Sequence, residues 1–285
     1  MFELEYPYPA HYLQLTESVR LAYVDEGEGQ PLLFIHGLGS NLKGWQKTID
    51  GLRQHFRCLA IDLPGYGNSS QGKYPFDMSF FAGVVRDFIA ALGLRKVVLV
   101  GHSMGGQIAM QTVLQNAKSI EKLVLLAPAG FETFDEKEKR FFATVWTPQL
   151  LKAMPVAQIV RNFELNFHDM PDDSRFMIAD RLALRQTKAF DHFCRMVPKC
   201  LMGMLNEPVY GRLHYILQPT LILYGENDQL IPSQLVHPLM TTRQVAEKGY
   251  RRLPASHLEM VKDAGHFLQW ERAKEVNAAI FSFLK

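Results

Sequence analysis

The sequence is poor in cysteine and lacks clustered positive charge, and each shortage excludes a class of protein. Its 285 residues include three cysteines, which cannot all pair and which show neither a C-x-x-C nor a Cys/His metal spacing. The 31 Lys and Arg residues nearly balance the 29 Asp and Glu residues, and they form no basic stripe of the kind that binds nucleic acid. We therefore expect buried thiols in a cytoplasmic protein with no metal, no cofactor and no nucleic-acid partner.

Long apolar runs are also missing, since no stretch approaches the roughly 18 residues that span a membrane. The first residues, Met1-Phe-Glu-Leu-Glu-Tyr-Pro, are acidic and interrupted by proline, so we expect neither a secretory signal nor a membrane span. Hydrophobic residues still make up 47% of the chain, which is enough to bury a sizeable core. The sequence therefore predicts a globular protein, either a monomer or a homodimer.

Short apolar runs alternate with amphipathic stretches over much of the chain. Strands are predicted at 11–18, 20–25, 32–35, 56–61, 97–100, 122–127, 219–224 and 257–261. Several of these runs are continuously apolar, which is typical of strands covered on both faces. The alternation predicts an α/β fold with a mostly parallel, doubly wound sheet and a ligand crevice at the carboxyl ends of its strands.

The alternation stops between residues 131 and 217, where no convincing strand occurs. This stretch holds nine of the 19 Phe residues, six of the 12 Met residues and Trp146. We predict a helical cap over 131–217, inserted after the sixth strand into a core formed by 1–130 and 218–285. Met-rich apolar surface suits packing between helices as well as an adaptable substrate pocket. Four polar cap residues are interpreted as solvated surface: Arg185, Gln186, His192 and Arg195.

The segment Gly101-His-Ser103-Met-Gly105 joins a predicted strand to a helix-periodic segment. A G-x-S-x-G sequence in this context is typical of a nucleophile elbow, a strained turn that presents the serine hydroxyl above the sheet. Glycines flank the serine because a Cβ there would collide with the strand or the helix. Ser103 is the candidate nucleophile, and the backbone N–H of Met104 is a candidate oxyanion donor at the start of the helix.

Two further groups follow later predicted strands on the same edge of the sheet. Asp228 lies in the loop Gly225-Glu-Asn-Asp228, and His266 lies in the loop Asp263-Ala-Gly-His266. A serine needs an imidazole base, and the base needs a carboxylate that fixes its tautomer. Glu132 also follows a predicted strand and is a competing candidate for the acid. The order Ser103, Asp228, His266 is the one expected for this kind of fold.

The loop His36-Gly-Leu38-Gly-Ser40 follows another predicted strand. Its glycines allow backbone amides to turn toward a ligand, so the N–H of Leu38 is the natural second oxyanion donor. Asp62 lies in a Pro/Gly-rich turn and is interpreted as a structural residue that binds loop amides. Four aromatic residues are assigned to the substrate pocket: Trp45, Trp146, Phe267 and Trp270.

These pieces together resemble the α/β-hydrolase superfamily, and in particular its cap-bearing esterases, haloperoxidases and meta-cleavage C–C hydrolases. The matching pieces are His36-Gly37, the loop Asp62-x-x-Gly65-x-Gly67-x-Ser69, Gly-His-Ser103-Met-Gly-Gly, Gly225-x-x-Asp228 and Gly265-His266. The resemblance covers nearly the whole chain. It implies Ser103 as nucleophile, Asp228 as acid, His266 as base, and the amides of Leu38 and Met104 as the oxyanion hole.

The resemblance implies acyl chemistry on a small, apolar, ester-like substrate. A serine at the elbow argues against haloalkane dehalogenases and epoxide hydrolases, in which an aspartate is expected there. Hydrolysis of a carboxylic ester or thioester is the simplest hypothesis. The segment Gln269-Trp270-Glu271 resembles the one that follows the histidine in meta-cleavage C–C hydrolases, so C–C bond hydrolysis stays open. A hydrolase-derived receptor that binds a ligand without turnover is the third alternative.

Overall fold

A computed structural model describes residues 3–116 and 118–285. The strands form one eight-stranded sheet in the order β1-β2-β4-β3-β5-β6-β7-β8. Their bounds are β1 (His11–Gln14), β2 (Arg20–Glu26), β3 (Pro31–Ile35), β4 (Arg57–Ile61), β5 (Val97–His102), β6 (Ile120–Leu126), β7 (Thr220–Gly225) and β8 (Ser256–Val261). The pairs β1 with β2 and β2 with β4 are antiparallel, and the other neighbours are parallel. The predicted fold class is confirmed.

The helices are α1 (Gln46–Leu52), α2 (Met78–Ala91), α3 (Met104–Gln115), α4 (Glu136–Val145), α5 (Pro148–Ala153), α6 (Val156–Glu164), α7 (Phe176–Arg185), α8 (Ala189–Asn206), α9 (Thr242–Tyr250), α10 (Leu268–Glu271) and α11 (Ala273–Leu284). Helices α4 to α8 all lie between β6 and β7, as the sequence predicts for a cap. The division into a core and a cap at residues 130/131 and 217/218 stays a prediction.

The core lies along the parallel part of the sheet, where β5 and β7 are buried along their whole length. Their Val, Leu and Ile side chains face helices on both sides, and each fully buried one contributes about 1.5–3 kcal/mol. Helix α1 packs against α11, and α2 packs against α3. Among the described residues, no helix is both long enough and apolar enough to cross a bilayer.

The strand order reverses between β3 and β5. From β3 the chain continues to β4 on one side, and later strands from β5 onward are added on the other side. Right-handed crossovers that run in opposite directions along the sheet place their helices on opposite faces, so α1 lies on one face with α11, and α2 and α3 lie together on the other. The carboxyl ends of β3 and β5 form the switch point, which is where open α/β sheets bind ligands.

Several predicted boundaries differ from the structure. The first strand, predicted over 11–18, ends at Gln14. The helix predicted from Phe76 begins at Met78, because Phe76 has a φ of 60° and Asp77 caps the helix by accepting from the N–H of Phe80. The helix predicted over 45–55 is shorter in the structure, where α1 spans Gln46–Leu52 and follows a 3₁₀ turn at Leu42–Trp45.

Candidate active site

Ser103 lies at the turn between β5 and α3 with a φ of 53°. Its N–H donates to the carbonyl of Leu126 at 3.0 Å, and its own carbonyl accepts from the N–H of Ala129 at 3.0 Å. These bonds hold the backbone in a conformation that a non-glycine residue seldom adopts. A Cβ on Gly105 would lie 2.0 Å from the carbonyl oxygen of Ile35. The turn therefore requires glycine at this position, as the sequence predicts.

Asp228 and His266 come together although they lie in loops after different strands. The Nδ1 atom of His266 and the Oδ2 atom of Asp228 are 2.8 Å apart, and both side chains are buried. The Oδ1 atom of Asp228 accepts from the N–H groups of Leu230 at 2.8 Å and Ile231 at 3.0 Å. Since a carboxylate only accepts, the proton lies on Nδ1 and the Nε2 atom of His266 is left with a lone pair.

Ser103 and His266 line the same cavity, which has a volume of about 1190 Å³. The imidazole rings of His266 and His102, the residue before the serine, are 4.8 Å apart between centroids. Within the described residues, no direct hydrogen bond joins the Ser103 hydroxyl to His266. Catalytic hydrogen bonds are often long without substrate and shorten only when it binds. The structure thus brings all three predicted residues to one site and bonds two of them directly.

The two predicted oxyanion donors also flank this site. Leu38 lines the cavity, and a Cβ on its neighbour Gly37 would lie 3.1 Å from the Cβ of Ser103. Met104 is the first residue of α3, where backbone N–H groups carry the positive end of the helix dipole. Neither amide donates to an acceptor within residues 3–116 and 118–285. Both N–H groups are therefore available to a ligand.

Two of the four aromatic residues predicted for the pocket are placed elsewhere. Trp146 and Phe267 line the cavity, whereas Trp45 and Trp270 do not. Trp45 is buried behind the wall against Phe34, with 5.1 Å between the ring centroids. The indole N–H of Trp270 donates to Asp173 at 2.8 Å. The prediction for Trp45 and Trp270 is corrected: both side chains support the wall from behind.

The residues between 131 and 217 divide between packing and pocket. Three of the six methionines in this stretch line the cavity: Met154, Met177 and Met204. The four polar residues interpreted as solvated surface do not line it. Instead Arg181, one turn before Arg185 on α7, contributes its guanidinium to the wall. A signal was present in the sequence, because Arg181 follows Met177 by four residues and precedes Leu184 by three, so it lies within an apolar helical stripe.

The competing acid, Glu132, is engaged elsewhere. Its Oε1 atom lies 2.6 Å from the Nδ1 atom of His237 and accepts from the N–H of Ser233 at 2.9 Å. The other nitrogen of His237 lies 3.0 Å from Glu138 on α4. His237 therefore connects Glu132 to Glu138 on α4, whereas Asp228 faces His266.

Two histidines near the serine have structural contacts. The Nε2 atom of His36 accepts from the N–H of Leu63 at 3.1 Å, and burial lowers the pKa of His36 to about 4. The Nε2 atom of His102 lies 2.9 Å from the backbone carbonyl of His266, and burial lowers the pKa of His102 as well. Both imidazoles are thus neutral near pH 7, and His102 fixes the loop that carries His266.

Asp62 binds loop amides, as the sequence predicts. Its carboxylate accepts from the N–H groups of Leu42 and Asn68, both at 2.8 Å, and from the hydroxyl of Tyr6. Burial raises the pKa of Asp62, although these bonds oppose the effect. Its contacts stabilise the loops beside the site.

Sequence reasoning missed a second residue, Glu271. Its Oε2 atom accepts from the N–H of Gly265 at 2.8 Å, and its Oε1 atom accepts from the N–H of Asp169, between α6 and α7, at 2.7 Å. Nothing in the local sequence indicates a partner about 100 residues away. Glu271 therefore links residues 262–267, the histidine loop, to the segment between α6 and α7.

Comparisons with known proteins identify a family and a fold. A family model described as the alpha/beta hydrolase fold matches residues 30–273. The chain is 28% identical over 269 residues to the dihydrolipoyllysine-residue acetyltransferase component of the acetoin cleaving system of Cupriavidus necator, covering 93% of this chain and 66% of that protein, just under two thirds of its length. It is 26% identical over 303 residues to epoxide hydrolase 3 of Xenopus tropicalis, covering 96% of this chain and 77% of that protein.

Among solved structures, the chain resembles a probable hydrolytic enzyme from Pseudomonas aeruginosa PAO1. The TM-score is 0.87 at 23% identity, and the match covers 99% of this chain and 96% of that one. A likeness at this identity establishes the fold alone.

Proposed function

Because the chain belongs to the alpha/beta hydrolase fold family, we propose that it is a serine hydrolase that cleaves a small carboxylic ester or thioester through an acyl-enzyme. The observation that carries the proposal is the 2.8 Å bond between Asp228 and His266 on the wall of the cavity that also holds Ser103. The carboxylate fixes the imidazole tautomer, and Nε2 is free to accept the proton of the serine hydroxyl.

The reaction proceeds in two halves. In the first, the Oγ atom of Ser103 attacks the substrate carbonyl while His266 takes its proton, and His266 then gives that proton to the leaving group. In the second, His266 takes a proton from water, which attacks the acyl-enzyme, and the proton returns to Ser103 as the acid is released. The amides of Leu38 and Met104 stabilise the oxyanion in both halves, and each donor is worth roughly 2.7–4 kcal/mol of the barrier.

The elbow residue separates this proposal from epoxide opening. The chain is similar in sequence to epoxide hydrolase 3. In epoxide hydrolases, however, an aspartate is expected at the elbow. This chain has Ser103 there, and a serine hydroxyl needs the base that His266 supplies. The site therefore favours acyl transfer.

The segment Gln269-Trp270-Glu271, which resembles meta-cleavage C–C hydrolases, has a structural explanation here. Trp270 binds Asp173, and Glu271 binds backbone amides. Their side chains do not line the cavity within the described part of the chain. The segment thus supports the loop of His266, and C–C bond hydrolysis remains the second candidate on the resemblance alone.

We also propose that residues 131–217 act as a cap, since the cavity is lined by residues from this stretch as well as by the loops after the strands. The three cysteines are free and buried. This supports a reducing compartment such as the cytoplasm.

The test compares wild-type protein with Ser103→Ala on a panel of 4-nitrophenyl esters, acyl thioesters and a 2-hydroxy-6-oxo-dienoate. Ser282→Ala is the matched control, because Ser282 is exposed on α11. We expect Ser103→Ala to lower kcat by roughly 10⁴–10⁶ on the ester or thioester that the wild type turns over, with an unchanged circular dichroism spectrum.

Each outcome selects one function. Unchanged turnover in Ser103→Ala would show that the nucleophile is assigned wrongly. Turnover of the dienoate alone selects C–C hydrolysis. Binding of panel compounds without turnover of any of them selects a receptor.

A further inference from the structure

The cavity wall carries one positive charge without a carboxylate partner, the guanidinium of Arg181. The Nη2 atom of Arg181 donates to the carbonyl of Gly39 at 2.5 Å, and its Cζ atom lies 3.8 Å from the ring centroid of Phe193. Within residues 3–116 and 118–285 the guanidinium makes no further hydrogen bond. A guanidinium has five N–H donors, so most of them have no acceptor among the described residues.

Every acidic side chain on the cavity wall has a different partner. Asp180, the neighbour of Arg181, binds Lys43 at 2.7 Å. Asp228 binds His266, and Glu132 binds His237. Among the described residues that line the cavity, Arg181 is therefore the charge left uncompensated.

This charge is costly where it lies. Burial lowers the pKa of Arg181 to about 10, so the site pays a desolvation penalty that the contacts to Gly39 and Phe193 offset only in part. The guanidinium is still charged at pH 7. A bound anion would supply the missing partner, and a planar carboxylate fits the guanidinium fork with two parallel hydrogen bonds.

Arg181 is also close to the proposed reaction centre. It contacts Gly39, which follows the proposed oxyanion donor Leu38 in the chain. Gly37, two residues before Gly39, lies close to Ser103 in space. Two residues of extended chain span at most about 7 Å. A carboxylate bound to Arg181 is thus a few bonds from the carbonyl that Ser103 attacks.

From this arrangement we propose that Arg181 is a specificity-determining residue, and that the substrate is an ester or thioester that carries a free carboxylate in the same molecule. The proposal rests on the proposed function of the same site, and it names the class of substrate. The apolar remainder of the wall receives the rest of the molecule.

The test uses esters matched in length with and without the second carboxylate. Mono-4-nitrophenyl glutarate carries the carboxylate on its acyl group, and its neutral partner is 4-nitrophenyl pentanoate. 4-Carboxyphenyl pentanoate carries the carboxylate on its leaving group, and its neutral partner is phenyl pentanoate. For the wild type we expect at least one charged ester to exceed its neutral partner at least tenfold in kcat/KM. Arg181→Met keeps an unbranched chain without the charge, and we expect it to remove this preference by lowering kcat/KM of the charged ester about 100-fold.

Arg181→Lys and Arg185→Met are the matched variants. The lysine keeps the charge, so it retains part of the preference, while Arg185 lies on the same helix and does not line the cavity. If Arg181→Met lowers kcat/KM equally for the charged and the neutral ester, the proposal is overturned. Such a result would mean that Arg181 only positions Gly39. An equal rate on both esters in the wild type would also overturn it.

A binding measurement separates this proposal from the proposed function. In the Ser103→Ala background, glutarate is expected to raise Tm, and Arg181→Met is expected to abolish that rise. Turnover that persists in Ser103→Ala would refute the nucleophile and leave this binding result standing. Ester turnover that depends on Ser103, without glutarate binding or charge preference, would refute only the carboxylate subsite.

Discussion

Glu271 offers the sharpest test of how the histidine loop is held. Its carboxylate accepts three backbone N–H groups, from Gly265 at 2.8 Å, His168 at 3.1 Å and Asp169 at 2.7 Å. The segment between α6 and α7 also contacts the histidine loop directly, because the N–H of Phe267 donates to the carbonyl of Asn166 at 2.8 Å. Removing the carboxylate should therefore loosen the residue next to His266.

The three bonds differ in what their loss costs. His168 and Asp169 are exposed, so their N–H groups can turn to water, whereas Gly265 is buried. An unsatisfied buried N–H costs about 1–3 kcal/mol. For Glu271→Ala we expect a loss of about 2 kcal/mol in the free energy of unfolding, which lowers Tm by roughly 4–8 °C in a chain of this size. Displacement of His266 should also lower kcat/KM about 100-fold.

Glu271→Gln removes the negative charge of the side chain but keeps its size and shape. The amide oxygen can take the place of Oε2 and keep the bond to Gly265, so we expect most of the stability and of kcat/KM to return. Glu17→Ala is the control, since Glu17 is exposed in the turn after β1. The measurements are urea unfolding and steady-state kinetics on the best ester of the panel. If Glu271→Ala changes neither quantity more than Glu17→Ala does, the inference about this carboxylate is refuted.

Three further predictions follow from the site and its surroundings. Asp228→Asn should lower kcat about 10⁴-fold with the fold intact, because the amide favours the wrong tautomer of His266; a loss below tenfold would contradict its role as the acid. Burial lowers the pKa of His36 to about 4, so between pH 6.5 and 4 the unfolded chain binds a proton that the folded chain does not. The free energy of unfolding therefore falls as the pH falls, and His36 accounts for a loss of about 2 kcal/mol at pH 5. Urea unfolding at pH 7.5 and 5.0 should show that His36→Asn is less sensitive to pH than the wild type, and equal sensitivity would refute this. Gly105→Ala should abolish folding or lower Tm strongly, as its Cβ would lie 2.0 Å from the carbonyl of Ile35; a wild-type Tm would contradict the elbow geometry.

The sheet and the three polar residues at its edge could be predicted because their signals are local. The turn at Ser103 is defined by a strand, two glycines and a helix that are adjacent in sequence. Asp228 and His266 each end a strand of a parallel sheet, and parallel topology brings such ends to one edge. No knowledge of distant contacts was needed for these positions.

The pocket was predicted less well, because it depends on how distant helices pack. Trp45 and Trp270 are aromatic and near the site in sequence, but burial behind the wall is decided by contacts with Phe34 and Asp173. The importance of Arg181 becomes visible only once Lys43 is seen to bind the neighbouring Asp180. Spacing along a helix indicates a face, and it does not say which element covers that face.

The stretch of helices between β6 and β7 has one more consequence, for protein engineering. β6 and β7 are parallel neighbours, with Leu126 beside Leu223, so the polypeptide leaves the sheet at one edge and must return to the opposite edge before β7 begins. Parallel strands cannot be joined by a tight turn and need a dozen or more residues to make the return. A variant without residues 131–217 therefore cannot be made by joining 130 directly to 218. A replacement segment of about a dozen residues or more would have to run back across the sheet.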